Sequence, residues 1–355
     1  MRISTTMQFT SNLKYIQRAN SSVDESSITY NTGLKFQTAG DDPSGMASKV
    51  KYEGAIAAYK QFAEDGGLAS NALAEEETAI ESMWECLSDV YLRLQQCVNG
   101  SNDISSLKAL AAEIEQQRDH LFDLMNTQNT EGEYIFSGSQ SDIPTYSLTS
   151  DGHYTCNADG ANRSVLVSPS VTVQVSDSGL DIFENCKKAY SMSTAAVPDP
   201  FSSSTAADFT MGSITNFGDF NKLFEEYYSP ATGANNTLRI SCDGNGNFNL
   251  YDQNSNLIDS GELKIEDNYY SITTNGMEFI LSSYDYTGDI EITLDKPDTD
   301  NMLNILTDIV SVIRDESLTA GEKIAKITHC EQDVNIAMTH YDAYRGQIGA
   351  RQNTI

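Results

Sequence analysis

The sequence predicts an α+β protein: an elongated antiparallel helical bundle or coiled coil built from both chain ends, with a β-rich outer domain inserted between them. Three observations lead there. Six of the seven prolines (Pro144, Pro169, Pro198, Pro200, Pro230 and Pro297) fall between residues 144 and 297, which leaves both ends free to form long helices. Apolar residues recur at alternating steps of three and four in both ends, the helical signature. The middle instead carries short period-2 runs separated by Gly, Asn and Asp turns.

Taken in order, residues 1–40 form an N-terminal arm whose positions Leu13, Ile16, Asn20, Val23, Ser27, Tyr30 and Leu34 make a helical seam with two polar interruptions. Gly40-Asp41-Asp42-Pro43 then predicts a turn, with Asp42 capping a new helix and Pro43 at its first position, where the missing N–H costs nothing. Residues 41–140 continue as helical bundle. After a weak point at Gly66-Gly67, the seam Ile80, Met83, Leu87, Val90, Leu94, Cys97 runs unbroken to a stop at Asn99-Gly100. A third helix follows with Leu107, Leu110, Ile114, Gln117, Leu121 and Leu124. Residues 298–355 are read as a returning helix of the same bundle, on Ile324, Ile327, Glu331, Val334, Met338, Tyr341, Arg345 and Ile348.

Residues 141–297 read as the inserted β-rich domain, with strand signals at 165–167, 171–175, 238–240 and 289–294. Within it, residues 187–236 are rich in Ser, Thr and Ala. They read as long loops with a short helix near Phe220 to Tyr228.

Charge narrows the function classes. The 355 residues carry 22 basic and 51 acidic side chains, a formal charge of −29, which excludes unspecific binding to nucleic acid phosphates or anionic lipid. No stretch approaches the roughly 18 consecutive apolar residues needed to span a bilayer, so neither nucleic acid nor membrane is expected as a partner. Only the arm is not acidic: residues 1–40 carry +2, against −12, −15 and −4 for the three following segments.

Chemistry is sparse. His120, His153, His329 and His340 form no HExxH motif, and there is no Walker loop or GxGxxG, so no catalytic, cofactor-binding or metal residue is assigned and no cofactor is expected. Asp243-Gly244-Asn245-Gly246-Asn247 begins like a calcium loop. It has Phe248 where Gly is required and Asn254 where a bidentate Glu belongs, so a hairpin turn is expected instead. The six cysteines have no metal spacing and read as small apolar fillers. Cys86 and Cys97, about 16 Å apart along one helix, are beyond disulfide reach.

Several stretches are recognisable. Met1-Arg2-Ile3-Ser4-Thr5, Thr32-Gly33-Leu34-Lys35-Phe36 leading into Gly40-Asp41-Asp42-Pro43-Ser44-Gly45, and Asn126-Thr127-Gln128 with Gly132-Glu133-Tyr134-Ile135-Phe136-Ser137-Gly138 together resemble the FlgL-type flagellar hook-associated proteins of the flagellin-like superfamily. The closing Tyr344-Arg345-Gly346-Gln347-Ile348-Gly349-Ala350-Arg351 is similar to the returning helix shared by flagellins and that family. The resemblance covers residues 1 to about 140 and 300–355 and is weak over the middle.

The resemblance implies a structural protein, not an enzyme, in the junction layer between hook and filament. It would assemble with itself in a ring, meet hook-associated protein 1 on the hook side and flagellin on the filament side, and leave the cell by type III export without a cleaved signal. Leu13, Ile16, Val23 and Leu34 are then the inner helical contacts, and Asp41, Asp42 and Pro43 the spoke turn. In the family the chain continues past the position matching Arg351 into a C-terminal inner helix, read by an export chaperone, that pairs with the arm. The sequence reaches Ile355 without it and is read as a truncated form, in which residues 1–40 are expected to lack their intramolecular partner and to be mobile. The alternatives are a filament flagellin, an exported enzyme using the acidic β domain, or an adhesin using a head that holds 10 of the 18 tyrosines.

Overall fold

The computed structural model describes residues 5–99, 102–200, 202–266 and 269–355. Met1-Arg2-Ile3-Ser4 and the Gly100 of the helix stop therefore lie outside the described residues. The fold is α+β. Among the described residues, helices α1 (Thr5–Thr32), α2 (Pro43–Val98) and α3 (Ile104–Met125) precede thirteen strands between Tyr146 and Leu294, α4 (Phe217–Tyr227) lies among those strands, and α5 (Met302–Arg314) and α6 (Ala320–Gln352) follow them. Residues Met1–Gly67 with Leu166–Val171 make one compact unit; Leu68–Val165 with Thr172–Ile355 make a second.

In the larger unit the helices bury a continuous stripe. From Ala69 onward α2 buries Leu73 and then Ile80, Met83, Leu87, Val90, Leu94 and Cys97; the last six are the seam its spacing predicts, and each such aliphatic contributes about 1.5–3 kcal/mol. The weak point expected at Gly66-Gly67 is no break, since α2 is helical through both glycines. The buried face of α3 is turned from the expected one. Ala111, Ile114, Leu121 and Met125 are buried while Leu110 and Leu124 are half-buried, and α3 packs on α5.

The C-terminal segment is two helices where one was expected. α5 buries Met302, Leu303, Ile305, Leu306, Ile309, Val310 and Ile313. It stops because the Asp315 carboxylate accepts hydrogen bonds from Ser317 N (2.8 Å) and Oγ (2.7 Å), a local alternative to helical bonding. α6 then restarts on a reciprocal cap, Thr319 N donating to Glu322 Oε2 (2.8 Å) and Glu322 N to Thr319 Oγ1 (3.2 Å). Of its buried residues, Ile327, Val334, Tyr341 and Ile348 belong to the expected stripe, while Cys330, Asp333 and Ala337 do not, and Ile324 and Met338 of that stripe are only half-buried.

Among the described residues the β region holds two larger antiparallel sheets and two two-stranded ones. Of the larger two, one runs in the order 192–198, 287–294, 237–243, 247–251, 257–262, the other in the order 264–265, 270–274, 277–281, 209–214. Register places Ile240 between Ile290 and Leu250, so one face of the larger sheet is apolar. That face joins Phe279, Met277 and Leu281 of the smaller sheet and Phe220, Leu223 and Phe224 of α4 in a single core. Residues 187–236, expected as long loops, contribute two full strands, Met192–Pro198 and Phe209–Ile214. Their Ser, Thr and Ala content hid them, and long-range pairing supplies what composition does not: Met192–Pro198 matches Gly288–Leu294 residue for residue. The expected short helix is α4.

Asp243 to Asn247 is the expected hairpin turn. Asp243 Oδ1 accepts from Asn245 N (2.8 Å) and Asn247 N (3.0 Å), and Oδ2 accepts from the Asn247 side chain (2.8 Å). Asp252 to Asn256 repeats the same three bonds at the next turn. Cys86, Cys97, Cys186, Cys242 and Cys330 are buried free thiols and Cys156 is half-buried. Burial pushes the Cys86 thiol up to about 12 and that of Cys97 to about 11.

Candidate assembly surface

The smaller unit carries large apolar side chains that nothing covers. No residue of α1 is buried, and Leu13, Ile16 and Val23 are 44%, 58% and 66% exposed. The helix owes little to packing. Its visible local support includes Thr29 Oγ1 on Glu25 O (2.9 Å) and Thr32 Oγ1 on Ile28 O (2.7 Å).

Leu34 departs from its expected place in the seam. α1 ends at Thr32, and Gly33 takes a φ of +67°, a left-handed cap open to glycine, while its N–H bonds Thr29 O at 2.9 Å. Leu34 is thus beyond the helix, 48% exposed, on a cleft of about 490 Å³ that Ile28 and Phe36 also line.

The turn that follows is built on two carboxylates. Asp41 Oδ2 accepts from Thr38 N (2.9 Å) and Gln37 N (3.1 Å). Asp42 caps α2, its Oδ1 accepting from Gly45 N and from Ser44 Oγ, both at 2.9 Å, with Pro43 as the first helical residue. The Thr38 amide chiefly holds the Asp41 carboxyl below its usual range, and the Gly45 amide does the same for Asp42. Gly45 is required: a Cβ there would lie 2.5 Å from Asp42 Oδ2 and 2.8 Å from the Phe36 ring.

A further stripe escaped the sequence reading. On the first half of α2, Tyr52, Ile56 and Tyr59 follow at steps of four and three, so they share one face, and they are 65%, 55% and 64% exposed. The 4-3 spacing was the available signal. Charge completes the contrast. Residues 1–67 hold seven basic and seven acidic side chains, so the remaining 15 basic and 44 acidic place the whole net charge of −29 in residues 68–355.

The stretches that carried the family resemblance in the larger unit are fold determinants instead. Phe136 is fully buried edge-on against Phe183 at 5.2 Å, and Phe183 against Tyr341 at 5.8 Å. Ser137 Oγ donates to Ile143 O (2.7 Å), and a Cβ on Gly138, at φ +72°, would collide with the Asp159 carboxylate. From the closing stretch, Arg345 reaches Glu81 at 3.1 Å.

The family model for the bacterial flagellin N-terminal helical region matches residues 3–141. Flagellar hook-associated protein 3 of Salmonella typhimurium is 24% identical over 202 residues, 56% of this chain and 60% of that protein. The chain is thus similar over residues 3–141 to the flagellin N-terminal region and over about half its length to this FlgL-type protein. Its counterpart from Escherichia coli is 24% identical over 173 residues, 49% of this chain and 54% of that protein, so the match spans little more than half the length of these FlgL-type relatives. The fold is also that of solved FlgL structures. The Xanthomonas campestris protein superposes with a TM-score of 0.61 at 20% identity, covering 85% of this chain and 93% of that one. The flagellar junction protein FlgL from Legionella pneumophila gives 0.61 at 22% identity, covering 88% and 94%.

Proposed function

We propose that the chain is a structural subunit of the bacterial flagellum, placed in the junction layer between hook and filament. Residues 1–40 act as its inner arm, 41–140 with 298–355 as the helical bundle, and 141–297 as the outward head. Copies join in a ring through Leu13, Ile16, Val23 and Leu34, with Tyr52, Ile56 and Tyr59 added to that surface, and Asp41, Asp42 and Pro43 fix the turn between the two helices. Hook-associated protein 1 lies on one side and flagellin on the other, after export without a cleaved signal.

The observation that carries this reading is the pairing of two properties in residues 5–67. They expose large apolar side chains along helices, and residues 1–67 carry no net charge, while the rest of the chain is strongly acidic. Apolar helix faces left open are surfaces for other helices, and neutrality removes the repulsion that copies of the acidic remainder exert on each other. The names of the relatives favour the junction over the filament.

The test is deletion of the gene in its host, with flagellin assayed in the medium and the remaining hooks viewed by electron microscopy. Intact hooks without filaments and flagellin shed into the medium are expected. Loss of flagellin itself would make the chain the filament subunit, and normal motile filaments would end the structural reading.

A further inference from the structure

Glu76, on α2, is 2% exposed and Asp177, in the segment before the 180–184 turn, is 4% exposed. Glu76 Oε1 accepts the Asp177 N–H at 2.9 Å, so the two acids are adjacent, while Glu76 Oε2 is buried with no hydrogen-bond partner. Among the described residues a single cation serves the pair, and it is committed to one member. Arg351, in the last turn of α6, donates Nη1 to Asp177 Oδ2 at 2.6 Å and Nη2 to Oδ1 at 3.0 Å. Gln174 Nε2 adds a third bond to Asp177 at 2.7 Å.

Two ionised carboxylates against one guanidinium would leave a net negative charge enclosed, with one buried oxygen unbonded, an arrangement that the low-dielectric interior strongly disfavours. We propose that Glu76 is held as the neutral acid, and that its ionisation is a proton-controlled release of the last turns of α6 from α2. The groups acting on it are Asp177 from the segment before the 180–184 turn and Arg351 from α6, with Tyr344 of α6 facing both of these. Glu77 lies next to Glu76 on α2 and is bonded to Gln352 Nε2 at 3.0 Å.

Burial first, and the charge of Asp177 second, raise the Glu76 carboxyl from 4.5 to about 8. A carboxyl raised by folding favours the closed form fully below its unfolded value, and that contribution is lost as pH climbs towards the folded value. Opening should therefore rise about tenfold per pH unit between about 5 and 8, then level off.

Amide hydrogen exchange of residues 346–352 in the full chain, corrected for intrinsic rates, reads this directly. In the wild-type chain the opening equilibrium should follow that rise, and in Glu76→Gln, which imitates the neutral acid and keeps the acceptor for Asp177 N–H, it should be flat. Asp177→Asn frees the guanidinium for Glu76 and should move the rise to lower pH. Carbon-13 titration of the wild-type Glu76 carboxyl, which needs no variant, should show a midpoint near 8. An ordinary midpoint below about 5, or an exchange profile in Glu76→Gln that matches the wild type, would overturn the proposal.

Discussion

The side chain of Asn126 satisfies both backbone groups of Tyr146: Tyr146 N donates to Asn126 Oδ1 at 2.9 Å, and Asn126 Nδ2 donates to Tyr146 O at 3.2 Å. Asn304 treats Tyr154 in the same way, at 2.7 Å and 3.1 Å. Tyr146–Leu148 and Tyr154–Cys156 are the two strands of one ribbon, so an amide at the end of α3 and another on α5 stand in for the neighbouring strands it lacks.

Replacing Asn126 or Asn304 by Leu should therefore cost about 1–3 kcal/mol each, because a buried N–H and a C=O lose their partners together. Urea unfolding at neutral pH measures it. A loss below about 0.5 kcal/mol for both would mean that water replaces these bonds freely.

Ile16→Asp and Ile56→Asp should leave monomer stability within about 0.5 kcal/mol, since neither side chain is covered. Self-assembly should fall sharply in both. Unfolding curves paired with sedimentation of assembled material separate the two effects, and unaltered assembly in both variants would remove this face from the interface.

Assembly should be favoured by added salt. With the acidic charge confined to residues 68–355, copies brought together repel one another, and ions at about 0.1–0.2 M screen that repulsion beyond roughly 8–10 Å. Light scattering across a salt series is the measurement, and a rate that ignores salt would contradict the expectation.

Acid should open the turn between α1 and α2. The carboxyls of Asp41 and Asp42 are depressed by backbone hydrogen bonds, so their contribution is complete above the ordinary Asp value of 3.8 and fades as pH falls through their folded values. The Gly45 amide resonance should move with that titration in the wild-type chain and not in Asp42→Asn. A Gly45 shift that persists unchanged in Asp42→Asn would assign it to another group.

What the sequence made legible was periodic and local. The α2 seam, the Asp42 cap with Pro43, the Asp243 hairpin and α4 all follow from patterns within a few residues. The misses share a different cause. Leu34 sits one residue past a glycine whose left-handed φ ends the helix, and α5 separates from α6 because two side-chain traps interrupt an apolar run. The strand at 192–198 needs a partner nearly a hundred residues away. Glu76, Asp177 and Arg351 are separated by 101 and 174 positions, so only the fold makes them neighbours. For the candidate surface, the seam of α1 was readable, and the stripe on α2 was passed over although its 4-3 spacing was there to read, since spacing alone does not separate an exposed stripe from the buried one that follows on the same helix.

The even balance of charges in the first 67 residues also bears on handling. The thirteen large apolar side chains exposed there among the described residues are set against the other 288 positions, which hold every unit of excess negative charge and so oppose aggregation. A peptide cut free after Gly67 would keep the stickiness and lose the counterweight. It should precipitate or bundle at concentrations where the intact chain remains clear.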